Sequence, residues 1–376
     1  IAADVVDSAA HRALAVDVAA QGLVLLRNEP LSPSALEPMV ASRGSRGSSK
    51  VALPLSATAK LALIGPHADS TVDMLGNYYG VNLQVLNSSI KDVMTQHQLS
   101  FSYTDGAGTQ GMAEAARIAR TADVAVVCLG LTQRDEGEDH DRTSLGLPQA
   151  QLDLLANVTA VQPYTVVVLI NGGALSIEAF TSGPHAVLAV IEAFYPGQGG
   201  GLAIVQALLG ETNRFGKLPY TMYPRGFENR NVMNFDMRAD GGLTYRFYNG
   251  KYGEPVYQFG HGLSYTTFTY AWEAPPKSTV NINDLKTNTS DCYDCSKVEY
   301  AVTVTNTGKM TGDAVILGFI STTDNETSVR SLFDFTRVTL SAGESTTVTL
   351  KMDSGCKQAV TSVDESDIKY SAKVAA

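Results

Sequence analysis

Six short apolar runs between residues 20 and 225 alternate with stretches whose apolar residues are spaced three or four apart. This alternation constrains the fold more than any other feature. The runs are GLVLL, KLALIG, LSFSY, DVAVVCLGL, YTVVVLI and AVLAVIEAF. Continuous hydrophobicity indicates burial on both faces, which is typical of parallel strands covered by helices. The helical patterns between them are SIKDVMTQH, GMAEAARIARTA, PQAQLDLLANVTAV and GLAIVQALLG. Together they predict an α/β domain over residues 1–225 with a doubly wound, mostly parallel sheet.

Other segments depart from this pattern. A helix is expected over residues 1–20, before the first strand. Residues 30–50 are rich in Pro, Ser, Gly and basic side chains, which predicts an exposed, flexible loop. Residues 226–264 are rich in Asn, Gly, Tyr and Phe and are interpreted as an extended linker. From 265 to 376, runs that alternate apolar and Thr/Ser residues predict a small β-sandwich of fibronectin-III type.

Charge and length exclude several classes of function. The net charge of −10 and the pI near 5.1 argue against nucleic acid, because binding it requires a basic face. No apolar run approaches the roughly 18 residues that a membrane-spanning helix needs. The chain contains neither G-x-x-x-x-G-K-[ST] nor G-x-S-x-G, so nucleotide hydrolysis and serine-hydrolase chemistry have no support. The hypothesis of a flavodoxin-like nucleotide-binding protein has little support for the same reason, because the chain has no phosphate-binding loop.

Sequons and cysteines favour a secreted protein, extracellular or lumenal. Four N-glycosylation sequons begin at Asn87, Asn157, Asn288 and Asn325. Cys292 and Cys295 form a C-x-x-C without the four ligands that a zinc site needs, so we expect no metal and no cofactor. One disulfide from either Cys292 or Cys295 to Cys356 is the better interpretation and fits an oxidising compartment. Cys128, inside an apolar run, is expected to be a buried free thiol.

An acidic segment, LTQRDEGEDHDRTSLGLP at residues 131–148, follows the run DVAVVCLGL. Five carboxylates lie between Arg134 and Arg142. Functional residues of doubly wound sheets sit at the carboxyl ends of strands, where this segment begins. Repulsion among closely spaced carboxylates favours a protonated carboxyl, which can act as a general acid. A solvated turn balanced by Arg134 and Arg142 is the alternative, and the pattern alone leaves both open.

Two further motifs have structural explanations that compete with functional ones. The segment FYPGQGGG at residues 194–201 joins a strand to a helix, but its spacing is not G-x-G-x-x-G. Tight packing of helix on strand explains its glycines better than phosphate binding does. The aromatic stretch GLTYRFYNGKYGEPVYQFGHGLSYTTFTY could stack on sugar rings, although fastening a linker to its neighbours is the favoured interpretation.

Taken in order, these segments resemble the C-terminal part of glycoside hydrolase family 3, nearest its β-xylosidase/α-L-arabinofuranosidase branch. The resemblance runs through nearly the whole chain. The segments that carry it are QGLVLLRN, IGPHAD, GNYYG, EGEDHDRTSLGLPQAQ, VVVLINGGAL, YPGQGGGLAIVQALLG, GKLPYTMYP, MRADGGLTYRFY, YQFGHGLSYTTFTY and FTRVTLSAGES.

The resemblance implies a reaction and an architecture. In this family a (β/α)8 barrel precedes the α/β sandwich, and the reaction is retaining hydrolysis of a β-glycoside from its non-reducing end. That chemistry needs a nucleophile and an acid/base, two carboxylates about 5–5.5 Å apart. The family's nucleophile is an Asp on the barrel. Its acid/base in this branch is a Glu shortly before Asp-Arg, which corresponds to Glu138, with Glu136 as the fallback. Asp141 and Arg142 match the closing pair and are expected to shape the loop.

The chain also departs from the family's pattern. It contains no barrel, so the resemblance implies a partner barrel chain from the same precursor and no activity for this chain alone. Glu192 and Phe194 stand where the family usually shows an aromatic residue and a Gly, and VNLQVLNSS replaces a Pro/Cys-containing segment. The expected substrates are β-xylosides or arabinosides, with glucosides next. The alternative is a non-catalytic structural or carbohydrate-binding relative that kept the scaffold. The sequence leaves homo-oligomerisation open.

Overall fold

The computed structural model describes residues 7–31, 51–80, 88–274, 298–321, 330–352 and 371–375. These form two compact units, each with its own core. The first unit comprises the described residues within Ile1–Lys217, Met222–Glu228 and His261–Tyr265. The second comprises those within Leu218–Thr221, Asn229–Gly260 and Thr266–Ala376.

The first unit is built on a six-stranded sheet. Its strands are β1 (Val24–Asn28), β2 (Leu61–Ile64), β3 (Phe101–Thr104), β4 (Val124–Gly130), β5 (Thr165–Ile170) and β6 (Ala189–Glu192). The strand order is β1-β6-β5-β4-β2-β3, and only β1 runs antiparallel to its neighbour within this sheet. A strand therefore forms at each of the six apolar runs, and the predicted α/β class is confirmed.

Helices cover both faces of this sheet. They are α1 (Ala9–Gly22), α2 (Ile90–Gln96), α3 (Gly108–Thr121), α4 (Gln133–Glu136), α5 (Gln149–Thr159), α6 (Glu178–Thr181) and α7 (Gly200–Leu209). Short 3-10 turns lie at Val72–Met74, Gly183–His185, Gly197–Gly199 and Arg225–Asn229. Apolar residues of α1, α2 and α7 pack with one face of the sheet, and α3 and α5 contact strands β2, β3 and β4.

Burial along the central strands explains their composition. Every residue of β4 and β5 is buried, because helices lie on both sides of a parallel sheet. Side chains that alternate along β4, such as Val126 and Cys128, join the core shared with α1, α2 and α7. Cys128 is a buried free thiol, as predicted. Desolvation raises its pKa to about 12, which makes it unreactive.

The second unit contains two antiparallel three-stranded sheets. Its strands are β7 (Phe268–Trp272), β8 (Val298–Asn306), β9 (Gly312–Ser321), β10 (Ser331–Leu340), β11 (Ser345–Met352) and β12 (Ser371–Ala375). The strand orders are β10-β9-β12 and β11-β8-β7. A core that includes Val302, Val304, Ile316 and Leu350 contains residues from both sheets. The β-sandwich is confirmed, while its fibronectin-III kinship stays a prediction.

The segment interpreted as one linker, residues 226–264, is divided between the two units. Its middle part carries a short helix, α8 (Thr244–Phe247). Within the second unit, the rings of Tyr245 and Phe259 stack with centroids 4.2 Å apart. These aromatic residues therefore pack against each other within the second unit, and the fastening role of the whole stretch stays a prediction. The predicted domain boundaries themselves stay predictions.

Candidate active site

Loops that follow strands β2, β4, β5 and β6 meet at one edge of the first unit's sheet. These strands are mutually parallel, so their carboxyl ends lie on the same side. In open α/β sheets this edge is where ligands bind. The acidic loop, residues 131–148, follows β4. The segments from Asn171 and from Ala193 follow β5 and β6, and the GNYYG motif belongs to the segment after β2.

The acidic loop begins with the short helix α4, whose first turn is capped by its own side chains. Thr132 accepts a hydrogen bond from the Arg134 amide, and Asp135 accepts one from the Thr132 amide at 2.8 Å. This reciprocal cap satisfies amides that a helix start leaves without partners. Gln133 donates through its side chain to the carbonyls of Leu75 and Gly76, at 3.2 and 3.0 Å. The loop is thereby attached to the segment after β2.

Glu136 ends α4 and is almost completely enclosed, with its side chain 8% exposed. Its Oε1 accepts hydrogen bonds from the Gly172 amide at 2.5 Å and from the Tyr195 hydroxyl at 2.6 Å. Its Oε2 accepts one from the Gly173 amide at 2.9 Å, and the Nε atom of Arg142 lies 3.5 Å from it. We call this arrangement the Glu136 clamp. It joins the acidic loop to the carboxyl ends of β5 and β6.

The clamp requires small residues and a protonated tyrosine. A Cβ atom on Gly173 would lie 2.5 Å from Nη2 of Arg142 and 2.6 Å from Oε2 of Glu136. A Cβ atom on Gly172 would lie 2.5 Å from Cε2 of Tyr195. Burial, followed by the hydrogen bond to Glu136, raises the pKa of Tyr195, so its hydroxyl remains a donor. The NGG motif of this chain is thus explained by close approach of side chains to the backbone.

Glu138 lies two residues further along and has a different environment. Its side chain is exposed, and its carboxylate is hydrogen-bonded by the hydroxyl of Tyr78. That bond is the main reason why the pKa of Tyr78 is raised. Tyr78 belongs to the GNYYG motif and is itself 82% exposed. Glu138 is therefore open to solvent at the same sheet edge where Glu136 is enclosed.

The end of the acidic loop is anchored by its arginine. Arg142 donates through Nη2 to the Ala174 carbonyl at 2.9 Å, in addition to its ion pair with Glu136. Asp141 is exposed. A cavity of about 550 Å³ borders this part of the loop, and the charged residues that line it are Arg134, Asp135, Asp141, Arg142 and Arg225. Arg142 thus connects the end of the loop to the segment after β5, and the loop-shaping role of Asp141 and Arg142 stays a prediction.

Glu192 was missed as an ionisable site residue. It is the last residue of β6 and is completely buried. Desolvation raises its pKa to about 8, and a hydrogen bond that it accepts from the Phe194 amide at 3.1 Å partly opposes this shift. Phe194 adopts φ +54°, a conformation that favours glycine. The available signal was a glutamate at the end of an otherwise apolar run.

The remaining predicted sites lie elsewhere or outside the described residues. Asn157 is in α5, where its side-chain nitrogen donates to the Met112 carbonyl at 2.6 Å. A glycan on this nitrogen would have to replace that bond. The predicted positions that lie outside the described residues are Asn87, Asn288, Asn325, Cys292, Cys295 and Cys356.

The described residues contain no candidate metal cluster and no candidate membrane span. No group of three or more His, Cys, Asp or Glu side chains there could hold a metal ion. None of the helices in the described ranges combines the length and the apolar content that a membrane crossing requires.

Comparison with known proteins connects this geometry to a family. Residues 23–265 match the glycosyl hydrolase family 3 C-terminal domain. The chain belongs to glycoside hydrolase family 3. Within this family, beta-D-xylosidase 1 of Arabidopsis thaliana is 34% identical over 378 residues, covering 93% of this chain and 46% of that protein. A probable exo-1,4-beta-xylosidase of Neosartorya fischeri is 33% identical, covering 93% of this chain and 44% of its own length.

Solved structures of family 3 proteins share the fold. A GH3 exo-beta-xylosidase in complex with a xylobiose aziridine activity-based probe superposes with a TM-score of 0.79 and 28% identity, over 92% of this chain and 44% of that one. The GH3 beta-glucosidase of Bifidobacterium adolescentis gives 0.74 and 25%, over 94% of this chain and 49% of that one. The chain thus spans about half the length of its family 3 relatives and corresponds to their C-terminal part.

Proposed function

We propose that this chain is the C-terminal portion of a retaining exo-β-glycosidase and that Glu138 is its acid/base. The observation that carries the proposal is the contrast within the E-x-E pair. Glu138 presents an exposed carboxylate that is held by one tyrosine hydroxyl, whereas Glu136 is enclosed by the clamp. β-Xylosides and arabinosides are the proposed substrates, with β-glucosides next. The names of the relatives support the xylosides and the glucosides.

The chemistry explains why the exposed carboxyl is the better candidate. A retaining acid/base first protonates the leaving-group oxygen and then removes a proton from the attacking water. Both steps require a carboxyl oxygen that can reach the substrate. The two oxygens of Glu136 already accept three hydrogen bonds, and Arg142 lies beside one of them. Glu138 is free of such competition, so Glu136 becomes the less suitable of the two.

The nucleophile of the proposed reaction is an Asp on a (β/α)8 barrel supplied by the same precursor. The barrel would place that Asp about 5–5.5 Å from the Glu138 carboxyl, the separation that retention requires. The relatives are about twice as long as this chain, which supports a second half of that kind. This chain alone is accordingly proposed to be inactive. We also propose, from the sequence alone, that the protein is secreted, is glycosylated and carries the cysteine bridge.

The test uses the protein that contains this chain together with its barrel, assayed on aryl β-xylosides. We expect Glu138→Ala to lower kcat/KM by about 10²–10⁴-fold for a poor leaving group and much less for a good one, for which kcat falls instead because water attacks the glycosyl-enzyme without a base. Azide should restore turnover and yield the β-xylosyl azide, because azide displaces the enzyme carboxylate without needing a general base. Asp139→Asn, an exposed change in the same loop, is the matched control and should keep full activity.

Two outcomes would contradict the proposal. Full activity of Glu138→Ala would remove its acid/base role. Absence of turnover by the unchanged protein, with sugar binding retained, would favour the alternative of a non-catalytic carbohydrate-binding relative. The replacements at Glu192 and Phe194 are the observation in that alternative's favour, because they alter the segment that carries Tyr195.

A further inference from the structure

We infer that Glu136 is a positioning residue whose carboxylate fixes the loop that presents Glu138. This inference rests on the proposed function for its catalytic meaning, although the clamp itself does not depend on it. Glu136 lies at the start of the segment that carries Glu138, and Arg142, the arginine of the clamp, lies at the end of that segment. Glu136 and Arg142 therefore close the segment between them, with Nε and Oε2 3.5 Å apart.

The clamp connects parts of the chain that are distant in sequence. Gly172 and Gly173 follow β5 and lie 36 and 37 positions from Glu136. Tyr195 follows β6, 59 positions away. Both strands belong to the buried centre of the sheet, so their ends are rigid supports. A loop that is attached to them at one carboxylate inherits their position, whereas the exposed side chain of Glu138 cannot fix the loop by packing.

The donor set requires a carboxylate. A carboxylate offers acceptors on both oxygens, which matches two amides and one hydroxyl. A glutamine would place its NH2 group against one of these donors and would remove the ion pair with Arg142. Hydrogen bonds to a charged acceptor are stronger than neutral ones, so the loss should be larger than for an ordinary surface contact. Glu136→Gln is therefore a nearly isosteric change that opens the clamp.

The backbone behind the clamp is itself held. The Asn171 amide donates to the Phe194 carbonyl at 3.3 Å, which connects the segments after β5 and β6 directly. The Asn171 side chain donates to the Gly173 carbonyl at 3.0 Å, which constrains the residue whose amide binds Glu136. The donors are thus arranged before the carboxylate arrives, which is how a site reaches the tolerance that catalysis needs.

The first test uses this chain and needs no activity. Amide hydrogen exchange of residues 137–142 is compared in the unchanged chain, Glu136→Gln and the control Glu138→Gln. We expect exchange at least about tenfold faster in Glu136→Gln and unchanged in the control. Tyr195→Phe removes a single donor and should give a smaller increase, which keeps the test available if Glu136→Gln does not fold. Unchanged exchange in both clamp variants would overturn the inference.

The second test uses the protein with its barrel. Glu136→Gln should lower kcat/KM more for poor leaving groups than for good ones, because a misplaced Glu138 donates its proton less well. Azide should rescue this variant less than it rescues Glu138→Ala, since a displaced base still assists the attack of water. Azide rescue of Glu136→Gln as large as that of Glu138→Ala would make Glu136 the acid/base and refute its positioning role. If Glu138→Ala keeps full activity while Glu136→Gln still accelerates exchange, the catalytic assignment fails and the clamp stands.

Discussion

Replacing Glu192 by Gln should change how the stability of the first unit depends on pH. Glu192 is completely buried, and burial is the main cause that raises its pKa from 4.5 to about 8. Its Oε2 and the Oδ1 of Asn171 are buried and have no hydrogen-bond partner among the described residues. The neutral acid avoids placing an unpaired charge at this buried position. Gln keeps an acceptor for the Phe194 amide and a donor, but it cannot ionise.

The sign and the size of the pH effect on stability follow from the different proton affinities of the folded and the unfolded chain. Below pH 4.5 both the folded and the unfolded chain hold the proton, so Glu192 does not change how the free energy of unfolding varies with pH. Between pH 4.5 and about 8 the unfolded chain loses the proton first, and stability falls by about 1.4 kcal/mol per pH unit. Across the whole window the loss amounts to ~5 kcal/mol. Above pH 8 both states are ionised and the contribution is constant.

The measurement is urea-induced unfolding of the unchanged chain and of Glu192→Gln at pH 5, 6, 7 and 8. As the pH rises, the free energy of unfolding of Glu192→Gln should increase relative to that of the unchanged chain by about 1.4 kcal/mol for each pH unit. Glu138→Gln, an exposed substitution at the same sheet edge, serves as the control and should show no such trend. Parallel pH profiles for the unchanged chain and Glu192→Gln would refute the argument that Glu192 is buried as a neutral acid.

Three further predictions concern other contacts. Gly173→Ala should destabilise the first unit by about 1–3 kcal/mol because its Cβ would meet the Arg142 guanidinium, whereas Gly22→Ala, with open space around it, should change the unfolding midpoint little. Cys128 should resist thiol reagents in the folded chain and react in denaturant; rapid labelling of native protein would contradict its burial. Asn306→Ala should cost the second unit about 3 kcal/mol, since this buried side chain makes four hydrogen bonds, and an unchanged melting temperature would count against that.

Much of the fold could be predicted from local patterns. Continuous apolar runs of strand length identify buried parallel strands, because only helices on both faces can desolvate every side chain of β4 and β5. Their alternation with helical patterns then requires the α/β class. The place of the acidic loop followed as well, since it begins where β4 ends. The division of residues 226–264 between the two units could not be predicted, because it depends on packing, which no local period reports.

The sequence by itself therefore determined the strands, the class of each unit and the edge at which Glu136 and Glu138 would lie. Only the tertiary structure decided which of the two is enclosed. That choice depends on donors 36, 37 and 59 positions away, brought together by strand order. It also depends on glycines that let a carboxylate and a guanidinium approach the backbone. Solvent access and hydrogen-bond supply are properties of the assembled sheet edge, so two glutamates that are nearly equivalent in sequence become different in chemistry.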